Sequence, residues 1–174
     1  MYRMNRWIKN ERGLTLIELL AATALTAIIA IFAFSILMKG IQHYNTISTD
    51  TAFRDEADLL MSSLLKDLYT TKESQITKTN FPEQNISNHF FEINKTGTKL
   101  KTGFINKELH IQGKVIPVVN TAIQITENSR IDANPDGDGV YKITLELRMP
   151  LKNQTVRFEN EIRTINDVNE DKED

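Results

Sequence analysis

Arg12-Gly13-Leu14-Thr15-Leu16-Ile17-Glu18-Leu19-Leu20 decides how the rest of this chain is read. A basic leader ends in Gly13, an apolar run begins at Leu14, and Glu18 stands fifth after the glycine. From Leu14 to Met38 there are 25 residues, and Glu18 is the only charge among them. At about 1.5 Å per residue, a helix of that length exceeds the roughly 30 Å hydrocarbon core of a bilayer. The run is rich in Ala, Leu, Ile and Phe and holds neither Gly nor Pro, which predicts an unbroken helix. Thr15, Thr23, Thr26 and Ser35 can bond back to that helix. An acid inside a span costs at least about 2.5 kcal/mol, so Glu18 calls for a partner or a function.

The flanks orient this segment. Arg3, Arg6, Lys9 and Arg12 against Glu11 give the leader a net +3, so the remaining side chains sum to -5 while the whole chain carries -2. Positive residues before a span stay in the cytoplasm, which places the bulk of the chain outside. Two plainer readings compete. A secretory signal peptide would have an apolar core of only about 7–15 residues followed by a small-residue cleavage site. A simple anchor would leave Glu18 unexplained.

The leader charges, Gly13, the Thr15 to Glu18 run and the long apolar helix together resemble the prepilin signature of type IV pilins and type II secretion pseudopilins. The resemblance covers about the first 40 residues. It implies that a membrane aspartyl peptidase cuts between Gly13 and Leu14 and methylates the new amine of Leu14. It also implies that Glu18 is the assembly carboxylate, paired with the N-terminal amine of a neighbouring subunit; the plainer reading pairs it with its own N-terminus. Leu14 departs from the Phe usual at the first mature position. Trp7 lies in the leader and reads as an interfacial anchor before processing.

Beyond Lys39 and Gly40, Phe53, Ala57, Leu60, Met61, Leu64 and Leu68 recur at helical spacing. Arg54, Asp55, Glu56, Asp58, Lys66 and Asp67 fall mostly on the opposite face. The polar run Thr46 to Thr51 predicts a weak point or bend, and the helix is expected to stop near Thr70 to Ser74. Gln75 to Asn88, with Pro82 and several Asn, reads as a loop. Alternating runs then predict strands at His89–Asn94, Lys99–Ile105, Glu108–Gln112, Val115–Val119, Thr121–Glu127, Val140–Met149 and Thr155–Ile165. The expected fold is α+β, a long N-terminal helix packed on a C-terminal antiparallel sheet, which is also the order that the resemblance implies. Its parts are a leader at 1–13, a transmembrane helix at 14–38, an amphipathic continuation at 39–74, a β domain at 75–166 and an acidic disordered tail at 167–174. Phe53 to Tyr69 and the strand, acidic turn and strand around Asp136 are similar to J-type pseudopilins and W-type minor pilins.

Chemistry elsewhere is sparse. Asp132-Ala-Asn134-Pro-Asp136-Gly137-Asp138-Gly139 begins like a calcium loop but has Ile143 where the twelfth-position acid belongs. Asn-Pro-Asp-Gly is also strong turn chemistry, so the expectation is a hairpin turn with no metal. His43, His89 and His110 form no ligand spacing, and no catalytic constellation or cofactor motif appears, so no enzyme is expected. There is no cysteine, which rules out disulfides and thiolate sites. The near-neutral charge gives no argument for nucleic acid.

The expected function is that of a minor pilin or pseudopilin, processed and then assembled at or near the tip of a pilus-like, secretion or competence filament. The partners so implied are the prepilin peptidase and methyltransferase, other pilin-like subunits, a platform membrane protein with its ATPase, and membrane lipid. The chain would sit single-pass in the cytoplasmic membrane and then in a surface or periplasmic filament. The alternative is an unprocessed, single-span extracellular binding domain, a calcium-dependent one included.

Overall fold

A computed structural model describes residues 14–82, 88–95, 97–134 and 139–167. One helix, α1, runs unbroken from Leu16 to Tyr69. Helical structure continues through Thr46 to Thr51, where the sequence predicts a weak point or bend. Thr46 donates its hydroxyl to the Gln42 carbonyl at 3.1 Å, so the polar side chain is absorbed by the helix instead of opening it. The chain divides within α1 into two compact units, Met1–Ser48 and Thr49–Asp174. In the first, every described residue is exposed.

The second unit packs the rest of α1 on two antiparallel sheets. The first is a meander of β1 (Ile76–Asn80), β2 (Asn88–Asn94), β3 (Lys99–Ile105), β4 (Glu108–Ile111) and β5 (Lys114–Ile116). The second contains β6 (Gln124–Ile125), β7 (Arg130–Ala133), β8 (Val140–Met149) and β9 (Gln154–Arg163). There β9 pairs with the full length of β8, while β6 takes Leu147 and Arg148 of β8 and β7 takes Tyr141 to Thr144. This is the expected α+β architecture, one long N-terminal helix packed on antiparallel sheets in a pilin-like arrangement.

The strand limits differ from the sequence reading for local reasons. β1 falls in the expected loop. It is a polar edge strand whose only alternation signal is Ile76, and pairing with β2 creates it. β5 ends before Pro117, which has no N–H to give a ladder. The strand expected at Thr121–Glu127 shrinks to two residues because turns take its ends: Ile123 donates its N–H to the Asn120 carbonyl, and Ser129 to that of Thr126. β7 forms where only an acidic turn was expected. The two-residue turns at Asn106-Lys107 and Gln112-Gly113 all have positive φ, the geometry that matches hairpin twist.

One core fills the space. Phe53, Ala57, Leu60, Leu64 and Leu68 of α1 meet Phe91, Phe104, Leu109, Ile131, Ile143, Leu145 and Leu147 of the sheets, all at 2% exposure or less. Each such side chain contributes about 1.5–3 kcal/mol on burial. His89, buried in β2, donates from Nδ1 to the Ile131 carbonyl of β7 at 2.9 Å and so ties the two sheets together. Phe81, Phe91 and Tyr141 pack edge to face beside it, at centroid distances of 4.8–5.9 Å.

The last described residues close the fold. Ile165 donates its N–H to the Thr71 carbonyl and accepts from Glu73 N–H, just past the end of α1. Asp167 accepts from Ser74, N–H at 3.0 Å and hydroxyl at 2.6 Å, so the first residue of the expected tail is bonded to the domain. The rest of that tail lies outside the described residues.

Among the described residues of the second unit, four carboxylates are held below their ordinary values. Ser74 holds Asp167 down, the Thr77 hydroxyl holds Glu92 and Lys142 holds Glu159. At Glu146 burial pushes upward, but bonds from Asn128, Thr126 and Arg157 outweigh it. A carboxyl lowered by folding stabilises the fold above its unfolded pKa, and that contribution is lost as pH falls through the folded value. Thermal melts of the full chain in neutral detergent will therefore give a midpoint that is flat from neutrality down to about pH 5 and drops below about pH 4.

Candidate functional site

The candidate site is the start of α1. The first helical bond runs from Leu19 N–H to the Thr15 carbonyl at 3.1 Å, which makes Thr15 the cap and Glu18 the third helical residue. The two side chains then serve each other's backbone. Glu18 N–H donates to Thr15 Oγ1 at 3.3 Å, and Thr15 N–H donates to Glu18 Oε2 at 2.8 Å. The Thr15 hydroxyl also donates to Oε2, at 2.9 Å. This is a capping box, in which a Thr and an acid three residues later satisfy helix-end donors reciprocally. The helix dipole favours a negative charge at that end.

The geometry answers how an acid can sit at the head of an apolar span. Glu18 folds back toward the chain's N-terminal side and compensates two donors that lipid could not. Both bonds use Oε2, and none among the described residues uses Oε1. Leu14, one residue before the cap, is 78% exposed. Gly13 and Trp7 lie outside the described residues.

The helix that follows is long and apolar enough to cross a membrane, with a mean hydropathy of 2.4 over its best window and none of that window buried. Its hydroxyls bond inward as expected: Thr23 to the Leu20 carbonyl, Thr26 to that of Ala22 and Ser35 to that of Ile31, at 2.8–2.9 Å. The structure thus brings Leu14, Thr15 and Glu18 together at one helix end.

The other candidates fall elsewhere. Asp132 is tied to Arg130 at 2.8 Å, and Asn134 N–H closes the β7–β8 hairpin on the Val140 carbonyl. Residues 135–138 of the acidic turn lie outside the described residues, and among the described ones no group of three His, Cys, Asp or Glu could hold a metal. His89 is a buried sheet tie, and His110 lies 3.4 Å from Glu108.

Two acids expected on the solvated face of α1 are buried instead, which corrects the sequence reading. Glu56 is 5% exposed, and its carboxylate accepts from Val119 N–H at 2.8 Å and Asn120 N–H at 2.9 Å. Asp67, 7% exposed, accepts from Lys95 at 2.9 Å, Thr102 at 2.9 Å and Gln112 at 2.6 Å. At 3.6 residues per turn, Glu56 and Asp67 lie only about 60° and 40° around the helix from Phe53, whereas Asp55 and Asp58 lie about 140° or more away. That angle is the signal in the sequence that separates them.

Residues 8–34, which take in Gly13, Leu14 and Glu18, match the model of the prokaryotic N-terminal methylation motif. No curated protein and no solved structure gives a significant match to the chain. The motif supports a prepilin-type pilin or pseudopilin, processed by a prepilin peptidase and assembled with other pilin subunits. The uncovered apolar helix fits a membrane anchor.

Proposed function

We propose that this chain is a minor pilin-like subunit, cut between Gly13 and Leu14, methylated on the Leu14 amine, and drawn from the cytoplasmic membrane into a filament. The observation that carries the reading is the methylation motif at residues 8–34 with Glu18 at its helix start. The capping box supports a role for Glu18 in assembly. Its Oε2 satisfies the subunit's own helix end, while Oε1, which no described residue bonds, is open to a cation such as the amine of a neighbouring subunit. In low dielectric that attraction is strong and steeply dependent on distance, so it can set the axial position of one subunit against the next. The similarity of Phe53 to Tyr69 to J- and W-type subunits supports a place at or near the filament tip. On this reading the leader stays cytoplasmic and the sheets face outward. A platform protein and its ATPase would supply the movement. An unprocessed anchor would use the same capping box without the cleavage.

Intact-mass analysis of the protein extracted from membranes, with and without a co-expressed prepilin peptidase, tests this. The expected product starts at Leu14 and carries one extra methyl group, only when the peptidase is present. A chain that keeps Met1 to Gly13 beside an active peptidase overturns the reading in favour of the plain anchor.

A further inference from the structure

The core face of α1 has a property that apolar packing alone cannot handle. Moved four residues toward its start, the helix would bring Ala57 to the place of Phe53, Met61 to that of Ala57, Leu64 to that of Leu60 and Leu68 to that of Leu64. These four buried slots would still receive an apolar side chain, and only that of Leu68 would receive Lys72. Hydrophobic burial is non-directional, and one element can shift past another by one turn of about 5.4 Å. The apolar pattern fixes which face of α1 is buried, and opposes the shift through the size mismatches at Phe53 and Ala57 and through Lys72 at the slot of Leu68.

Glu56 and Asp67 have no such equivalents. The same shift puts Leu60 where Glu56 meets Val119 and Asn120 N–H, and Thr71 where Asp67 meets Lys95, Thr102 and Gln112. Both sets of donors would be orphaned, and both carboxylates would leave theirs. A buried charge deprived of its partners is far more costly than an apolar side chain in a neighbouring slot. The two clamps reach different segments, the 119–120 connection for Glu56 and, for Asp67, Lys95 after β2, Thr102 in β3 and Gln112 after β4, so together they define the axial position at two points.

We infer that Glu56 and Asp67 are a register lock, which holds α1 against axial sliding and passes a pull on the helix to the sheets as one load. The lock belongs to the folded second unit and does not require processing. Its use rests on the filament reading, in which a subunit is drawn out of the membrane by force.

The test is single-molecule pulling on the full chain in neutral detergent. The chain has no cysteine, so Gln42→Cys on α1 and Lys114→Cys on β5 supply unique handles that load the helix against the first sheet. The lock variants are Glu56→Gln and the pair Asp67→Asn with Lys95→Met, which leaves no unpaired lysine. The control is Ile143→Ala, a core truncation, with all rates compared at equal equilibrium stability. At the same load the lock variants are expected to unfold about tenfold faster than the control, and the chain without either set of changes slower than all of them. Equal rates for lock variants and control would overturn the lock while leaving the peptidase assay and its reading untouched. Should the paired variant not fold, Glu56→Gln carries the test alone, because its amide oxygen can still accept one N–H.

Discussion

A Gly13→Leu variant will be recovered from membranes at full length beside an active prepilin peptidase, with no detectable cleaved or methylated product. A protease must reach the backbone on both sides of the bond it cuts, and here one side is already a helix. Leu16 opens α1 and Thr15 caps it, so the bond between Gly13 and Leu14 lies within three residues of rigid structure. A glycine at that point lets the leader turn away from the helix with no Cβ in the way, and leucine both fills the space and restricts the turn. Gly13→Ala adds a single methyl group and is expected to be cut. The pair separates access to the bond from general damage. Mass spectrometry reads both, and a melt unchanged in either variant shows that the sheets are intact. Cleavage of Gly13→Leu at the normal rate would remove the glycine from the mechanism.

The largest expected effect on stability lies far from that bond, at Gly103 in β3. Its φ is +142°, a conformation that residues with a side chain rarely adopt. A Cβ built there would lie 2.3 Å from the His89 carbonyl oxygen and 2.7 Å from Phe90 Cα, both backbone atoms of the paired strand. Flexible side chains cannot relieve that overlap. The strands would have to part where His89 ties the two sheets together and where Phe91 and Phe104 enter the core. Gly103→Ala is therefore expected to cost on the order of 4 kcal/mol. The melting midpoint of the full chain should fall by roughly 15 °C, at about 4 °C per kcal/mol for a domain of this size. Gly40 is the comparison: it sits in an exposed part of α1, and a Cβ added there would meet no atom within 4 Å. Alanine at Gly40 should leave the midpoint unchanged or raise it slightly.

How much of this is legible in the sequence depends on how local each signal is. The membrane segment and the core face of α1 are legible because hydrophobic spacing reports on a helix within a few turns. So are the β2–β3 and β8–β9 pairs, whose alternation is strong and whose turns contain Gly97 or follow Pro150. β1 and β7 are not, since a short strand at a sheet margin owes its shape to the neighbour it pairs with. The resemblance singles out Leu14 and Glu18. It does not announce the reciprocal bonding of Thr15 and Glu18, although Thr-x-x-Glu before an apolar run is the pattern for it. Glu56 and Asp67 go to the wrong face when a charge in a helix is read by its type and not by its angle from Phe53.

The hydroxyl groups of the apolar helix carry one more consequence. Thr23, Thr26 and Ser35 each spend their proton on a carbonyl one turn back in the same helix. None needs lipid, water or another chain to be satisfied. Such a helix is indifferent to its solvent: moved from hydrocarbon to a bundle of other helices, it would exchange dispersion contacts and little else. On the proposed path the surroundings of Glu18 must be rebuilt, and Oε1, which no described residue bonds, is where that rebuilding would start.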